Sequence, residues 1–288
     1  MSKCPEIFLL FLFVLFSGCS SDEATPDKRS LLNGPCPPGE ALGALEINVV
    51  SAFSAISGTF ADSIVPSAVA VLEMEEEYCS LWRRPNPECI PPCGSGQTCD
   101  FDGNCVPYPV QQDAGVISIR GLSEPVSLSP MAPTNSYSKV DISHPAFTAG
   151  DAITMTSTDG YFGILRMKGT GVDQLVSSDM VWPITRGKSL NVAWDAPTVE
   201  TGAKIQLRLN INQHGASPLT LICDFPDTGS AQVSTLLMDT FINTGVSGIP
   251  NGRLVRWTVD SMEVEKGCVE FRISSSLNAD VQLAIDGP

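Results

Sequence analysis

The chain has 288 residues, 43% of them hydrophobic, enough for one large or two modest domains with a real core. Asp and Glu number 32 against 17 Lys and Arg, so the net charge is −15. Such a surface repels nucleic acid and anionic lipid headgroups, which excludes the first as a partner and leaves no basic patch to hold a membrane.

The first residues, MSKCPEIFLLFLFVLFSGCS, have the three-part layout of an export signal: Lys3, an apolar run from Ile7 to Phe16, then small residues. That run is too short to span a bilayer, and no later stretch approaches twenty apolar residues. The ending Leu15-Phe16-Ser17-Gly18-Cys19 resembles a bacterial lipobox, which implies a signal peptide over 1–18 and a lipid on Cys19. Ser20 after the Cys points to an outer-membrane or cell-surface location, with the membrane reached through the lipid. A plainly cleaved signal with a chance Cys is the alternative.

Residues 19–41 are polar and rich in Pro, Gly and Ser and read as a flexible tether, closed onto the fold by Cys36. The segment 42–78 is expected to be a first β piece on the main fold. Its ALEINVVSAF alternates Leu45, Ile47 and Val49 with polar residues. Ser67 to Trp82 suits a helix or a strand, with strand preferred. Residues 79–108 carry five Cys among Pro and Gly and no hydrophobic period, so they need cross-links in place of a core.

From 109 to 288 the pattern is β: short alternating runs separated by Gly, Pro, Asn and Asp turns. KIQLRLNI is the clearest, with Ile205, Leu207, Leu209 and Ile211 on one face. Val255, Trp257 and Val259, after an Asn251-Gly252 hairpin signal, repeat the alternation, as do Val269, Phe271 and Ile273. One helix is predicted after Ser234 as N-cap. The expected fold is all-β: an antiparallel β-sandwich of immunoglobulin or jelly-roll type, with a small disulfide-rich insert and one short helix.

Of ten Cys, Cys4 leaves with the signal and Cys19 takes the lipid. The remaining Cys36, Cys79, Cys89, Cys93, Cys99, Cys105, Cys223 and Cys268 form an even set in an oxidising compartment. Cys223 with Cys268 is the expected long-range pair; the other six admit fifteen pairings. Zinc is the competing use of the cluster, but no His stands near it.

CGSGQTCDFDGNC resembles the terminal loops of EGF-like or Dickkopf-like knots. Together with CVPYP, DAGVISIRGL, LNINQHG, LICDFPDTGSAQV and GCVEF, it makes most of residues 70–275 similar to secreted lipoproteins of myxobacteria and related bacteria. The resemblance implies location, a β fold and disulfides, and no reaction.

No nucleophile elbow, zinc helix, P-loop or dinucleotide fingerprint is present, and no cofactor is expected. His144 reads as a solvent-facing turn residue. His214, with Asp224 and Asp227 downstream, is the one constellation suited to a metal or to acid–base work, as in a hydrolase. Asp100 to Asn104 resembles the opening of a calcium loop without its closing Glu. Trp82 and Trp182 are the candidates for an exposed sugar platform, whereas Trp194 and Trp257 alternate in phase with aliphatic neighbours and read as core. The leading reading is a non-enzymatic surface lipoprotein, an interaction or envelope-structural module with an envelope protein or glycan as partner. A carbohydrate-binding module and a hydrolase around His214 are the second and third readings.

Overall fold

The computed structural model describes residues 31–214 and 217–284; Cys19 lies outside them. In chain order the early strands are β1 (Ala41–Val49), β2 (Ser54–Phe60), β3 (Val71–Glu76), β4 (Cys79–Arg83), β5 (Gln97–Cys99) and β6 (Cys105–Pro107). Next come β7 (Ile117–Arg120), β8 (Val126–Leu128), β9 (Tyr137–Lys139), β10 (Ala152–Ser157), β11 (Arg166–Thr170) and β12 (Val181–Thr185). The last six are β13 (Leu190–Ala193), β14 (Lys204–Asn210), β15 (Leu219–Pro226), β16 (Ser230–Val233), β17 (Asn251–Val264) and β18 (Gly267–Ala284). The helix α1 (Thr235–Ile242) stands between β16 and β17, capped by the Ser234 hydroxyl, which accepts the Leu237 N–H at 3.2 Å.

The fold is an all-β sandwich with a disulfide-rich insert. One ten-stranded sheet runs β3-β4-β15-β14-β17-β18-β1-β2-β9, with β12 added alongside β18. It is mixed rather than purely antiparallel, because β1 and β12 both lie parallel to β18. The length of β18 permits this: its first part pairs with β1 and its last with β12.

The sheet's inner face carries two cores. Leu45, Ile47, Ile56, Phe271 and Ile273 pack under the four-stranded sheet β11-β10-β7-β8, with Ile117, Ile153 and Met155 opposite. Leu81, Leu207, Leu221 and Leu254 pack under β12, α1 and the β13–β16 pair, against Trp182, Val192, Leu237 and Phe241. The alternation read in β1, β14 and β18 is the one observed.

In β17 the phase is the reverse of the expected one. Register sets Leu254 opposite Leu207 and Leu277, so Leu254, Arg256 and Asp260 point inward while Val255, Trp257 and Val259 are half-buried on the outer face. An inward Arg breaks the hydrophobic period, and here it is fully partnered. Arg256, 1% exposed at its side chain, pairs with Asp227 through Nε at 2.6 Å and Nη2 at 3.0 Å. It also donates to the carbonyls of Gln174 (3.2 Å) and Asp195 (2.6 Å). Nor is Asn251-Gly252 a turn: it opens β17. Gly252 lies under the Trp182 ring, and a Cβ there would stand 2.5 Å from Cζ3.

The long-range disulfides also differ from expectation. Cys223 bonds Cys79 and Cys268 bonds Cys36. A Cys223–Cys268 bridge is impossible because β14 and β17 stand between their strands, which lie about 14 Å apart at sheet spacing even before the offset along β18 is counted. Cys79 instead stands directly opposite Cys223, Cα to Cα 3.9 Å. The piece expected as a knob over 79–108 therefore begins inside the sheet, since β4 is one of its strands. Only the chain beyond β4 leaves the sheet, and it forms the β5–β6 hairpin held by Cys89–Cys99 and Cys93–Cys105. The last part of the expected tether is likewise built into the fold, with the Leu32 N–H on the Ser261 carbonyl at 3.0 Å and the Cys36 N–H on Glu270 at 2.7 Å.

Candidate binding face

Opposite the cores, the large sheet turns a broad face outward, and register fixes which side chains share it. One row holds Trp82, Thr220, Asn210 and Asn251. The next holds Ser80, Ile222, Arg208, Arg253 and Asn278. A third has Asp224, Gln206, Val255 and Ser276, and a fourth Lys204, Trp257, Ser274 and Asn48. Small hydroxyls, amides and long cations occupy most of these positions, while the inward positions are mostly apolar, with Arg256 and Asp260 as exceptions.

Many of the polar groups are fixed by one another. Gln206 donates to Asp224 at 3.0 Å, Asn48 to the Ser276 hydroxyl at 3.0 Å, and Ser274 to Glu46 at 2.6 Å. Arg272 is held by the buried carboxylate of Glu270, with Nε at 2.6 Å, and lies over the Trp257 ring with its guanidinium carbon 5.7 Å from the centroid. Such a contact orients the cation and stabilises it by roughly 0.5–1 kcal/mol at an open site. Arg253 donates to Ser276 at 3.2 Å and stands 3.8 Å from Glu46.

Arg208 differs. It is exposed, directly opposite Arg253, and has no carboxylate partner among the described residues. Partial desolvation pulls its pKa below the usual value, helped by the charges of Arg84, Arg253 and Arg272. The indole N–H of Trp257, buried, also lacks a hydrogen-bond partner among the described residues. Trp257 forms one wall of a cleft of about 620 Å³ beside the rows, where Lys168, Lys204, Asp224, Asp260 and Gly34 contribute to the lining.

The residues singled out in the sequence separate. Trp182 is 1% exposed, its N–H donating to the Asp179 carbonyl at 3.2 Å, so it is core and offers no platform. Trp82 is half-buried on the outer face, with its N–H on Ser80 at 2.6 Å. Trp194 is core as expected, whereas Trp257 is not.

His214, Asp224 and Asp227 do not converge. His214 is exposed beyond the Asn210–Thr220 pair, beside Gly248, while Asp224 lies four residues further along β15, about 13 Å at strand rise. Asp227 belongs to Arg256 and to the Trp194 N–H, 2.7 Å away. Asp100 closes the β5–β6 turn by accepting the N–H groups of Asp102 (3.0 Å) and Asn104 (2.7 Å), which hold its carboxyl below the usual range. The sulfurs of Cys89, Cys93 and Cys99 lie within 4.8 Å of one another, but all three are in disulfides and offer no thiolate to a metal.

The arginine pair was hidden in the sequence. Arg208 and Arg253 are 45 positions apart, and only the β14–β17 register joins them. The signal was the polar phase of KIQLRLNI, which marks Arg208 as outward without saying what lies beside it. Compared with models of protein families and with curated proteins, the chain matches none.

Proposed function

We propose that this chain is a non-enzymatic bacterial surface lipoprotein, akin to the myxobacterial lipoproteins it resembles. In this reading a lipid on Cys19 anchors it to the outer membrane or cell surface, and the sheet body is a rigid interaction module. The outer face carries the reading: four in-register rows of Trp, Arg, Asn, Gln and Ser displayed on a ten-stranded sheet. Two supports brace it. Bridges spanning 232 and 144 residues, one tying Cys36 to β18 and one joining β4 to β15 inside the sheet, fit an oxidising, extracytoplasmic compartment. Carboxylates that a hydrolase would use are already engaged in structure, as Asp227 is with Arg256. Among the described residues no helix is long and apolar enough to cross a membrane.

Mass spectrometry of the mature protein tests the anchor. The expected N-terminus is an acylated Cys19, and Cys19→Ser should move the protein from the membrane to the soluble fraction. An unmodified Cys19, or a membrane-bound Cys19→Ser variant, refutes it.

A further inference from the structure

We infer that the outer face of the large sheet binds a carboxylate-bearing polysaccharide, seated across Arg208 and Arg253 between Trp82 and Trp257. The inference rests on the interaction-module reading and names its partner by chemistry.

Like charges placed directly opposite on neighbouring strands destabilise a sheet. In a chain of net charge −15, whose acidic residues offer many possible counter-charges, Arg208 and Arg253 are nevertheless side by side, and Arg208 has no carboxylate among the described residues. An arrangement that is unfavourable alone becomes favourable once an anion bridges the two guanidiniums, whose planar forks match a carboxylate in two-point contact. The neighbouring rows say what carries the anion. Trp82 lies one same-face step to one side and Trp257 two steps to the other, and Asn210, Asn251 and Gln206 occupy positions between and beside them. Indole faces stack on sugar rings and amides pair with hydroxyls, so Trp82, the arginine pair and the flanking amides on one face fit a saccharide chain better than an isolated ion, with Trp257 and the Arg272 laid over it closing the far end.

Binding of polygalacturonate to the full chain carrying Cys19→Ser, monitored by tryptophan fluorescence, tests this with membrane attachment out of the measurement. The salt is set at about 0.15 M, where distant acidic charges are screened beyond roughly 8 Å but contacts are not. Native protein should bind polygalacturonate and not neutral dextran. Arg208→Gln with Arg253→Gln should weaken binding by about tenfold or more, and the Lys pair at the same positions should restore part of it. Near-UV circular dichroism verifies that the variants keep the native fold.

No binding by the native protein, equal binding of dextran, or an unchanged affinity in the folded Gln variant each overturns the inference. If the Gln pair instead abolishes a dimer seen by sedimentation velocity, the face serves a second copy of the chain and the glycan assignment falls. Those failures leave the acylation of Cys19 untouched, so the anchor and the ligand are judged separately.

Discussion

Arg256 and Arg208 sit on neighbouring strands of one sheet, pointing to opposite sides. Arg256 is sealed between two hydrophobic cores and has a bidentate carboxylate and backbone carbonyls around it. Arg208 stands in the open beside a second arginine, with no carboxylate among the described residues. The difference separates a charge that completes the fold from one that the fold merely carries. A buried guanidinium survives only when its donors are met, because desolvation is otherwise too costly. An exposed one is tolerated without a partner, at a small repulsive cost, and so remains free to meet a ligand.

Substitution should expose the contrast most strongly at Arg256. Arg256→Met leaves the Asp227 carboxylate buried and unpaired, and urea unfolding should show a loss of about 3–5 kcal/mol. A loss below about 1 kcal/mol would mean that water reaches Asp227 and the joint between the cores is open. Gly252→Ala tests the inner face at its tightest point, under the Trp182 ring, and overpacking there should remove about 1–3 kcal/mol.

Tyr137, buried at the sheet's end, makes a pH-dependent contribution. Its hydroxyl donates to the Gly115 carbonyl at 2.8 Å and accepts the Ala114 N–H at 2.9 Å. Burial, reinforced by the nearby Asp113 charge, pushes its pKa up to about 12. Since the folded value exceeds the unfolded one near 10, the contribution is complete below pH 10 and lost as pH rises towards 12. Thermal melts should fall more steeply across that window in the native protein than in Tyr137→Phe.

The smallest effect has the opposite sign. Arg208→Gln removes a like-charge pair and should raise stability by a few tenths of a kcal/mol without ligand. A clear loss would show that Arg208 is a structural charge after all, and the comparison with Arg256 would collapse.

The wrong phase in β17 and the wrong partner for Cys223 have a common origin. Both expectations consider one strand at a time. Val255, Trp257 and Val259 look like a core triplet until Leu254 is seen opposite Leu207 and Arg256 is seen to own Asp227. Cys223 and Cys268 look like a pair until the sheet order inserts two strands between them. The same holds for Trp182, a candidate for exposure by sequence whose ring in fact lies in a strand and packs over Gly252.

What the sequence determined alone was local. Period-two alternation identified most strands, Ser234 with its apolar run identified the helix, and the even Cys count identified the chemistry of cross-linking. Each depends on residues a few positions apart, whose preferences the backbone reads directly. Sheet order, β17's facing, the Cys79–Cys223 and Cys36–Cys268 pairs, and the meeting of Arg208 with Arg253 were decided only by the tertiary structure. Register couples residues dozens to hundreds of positions apart, and its energy lies in side chains that touch only once the sheet has formed.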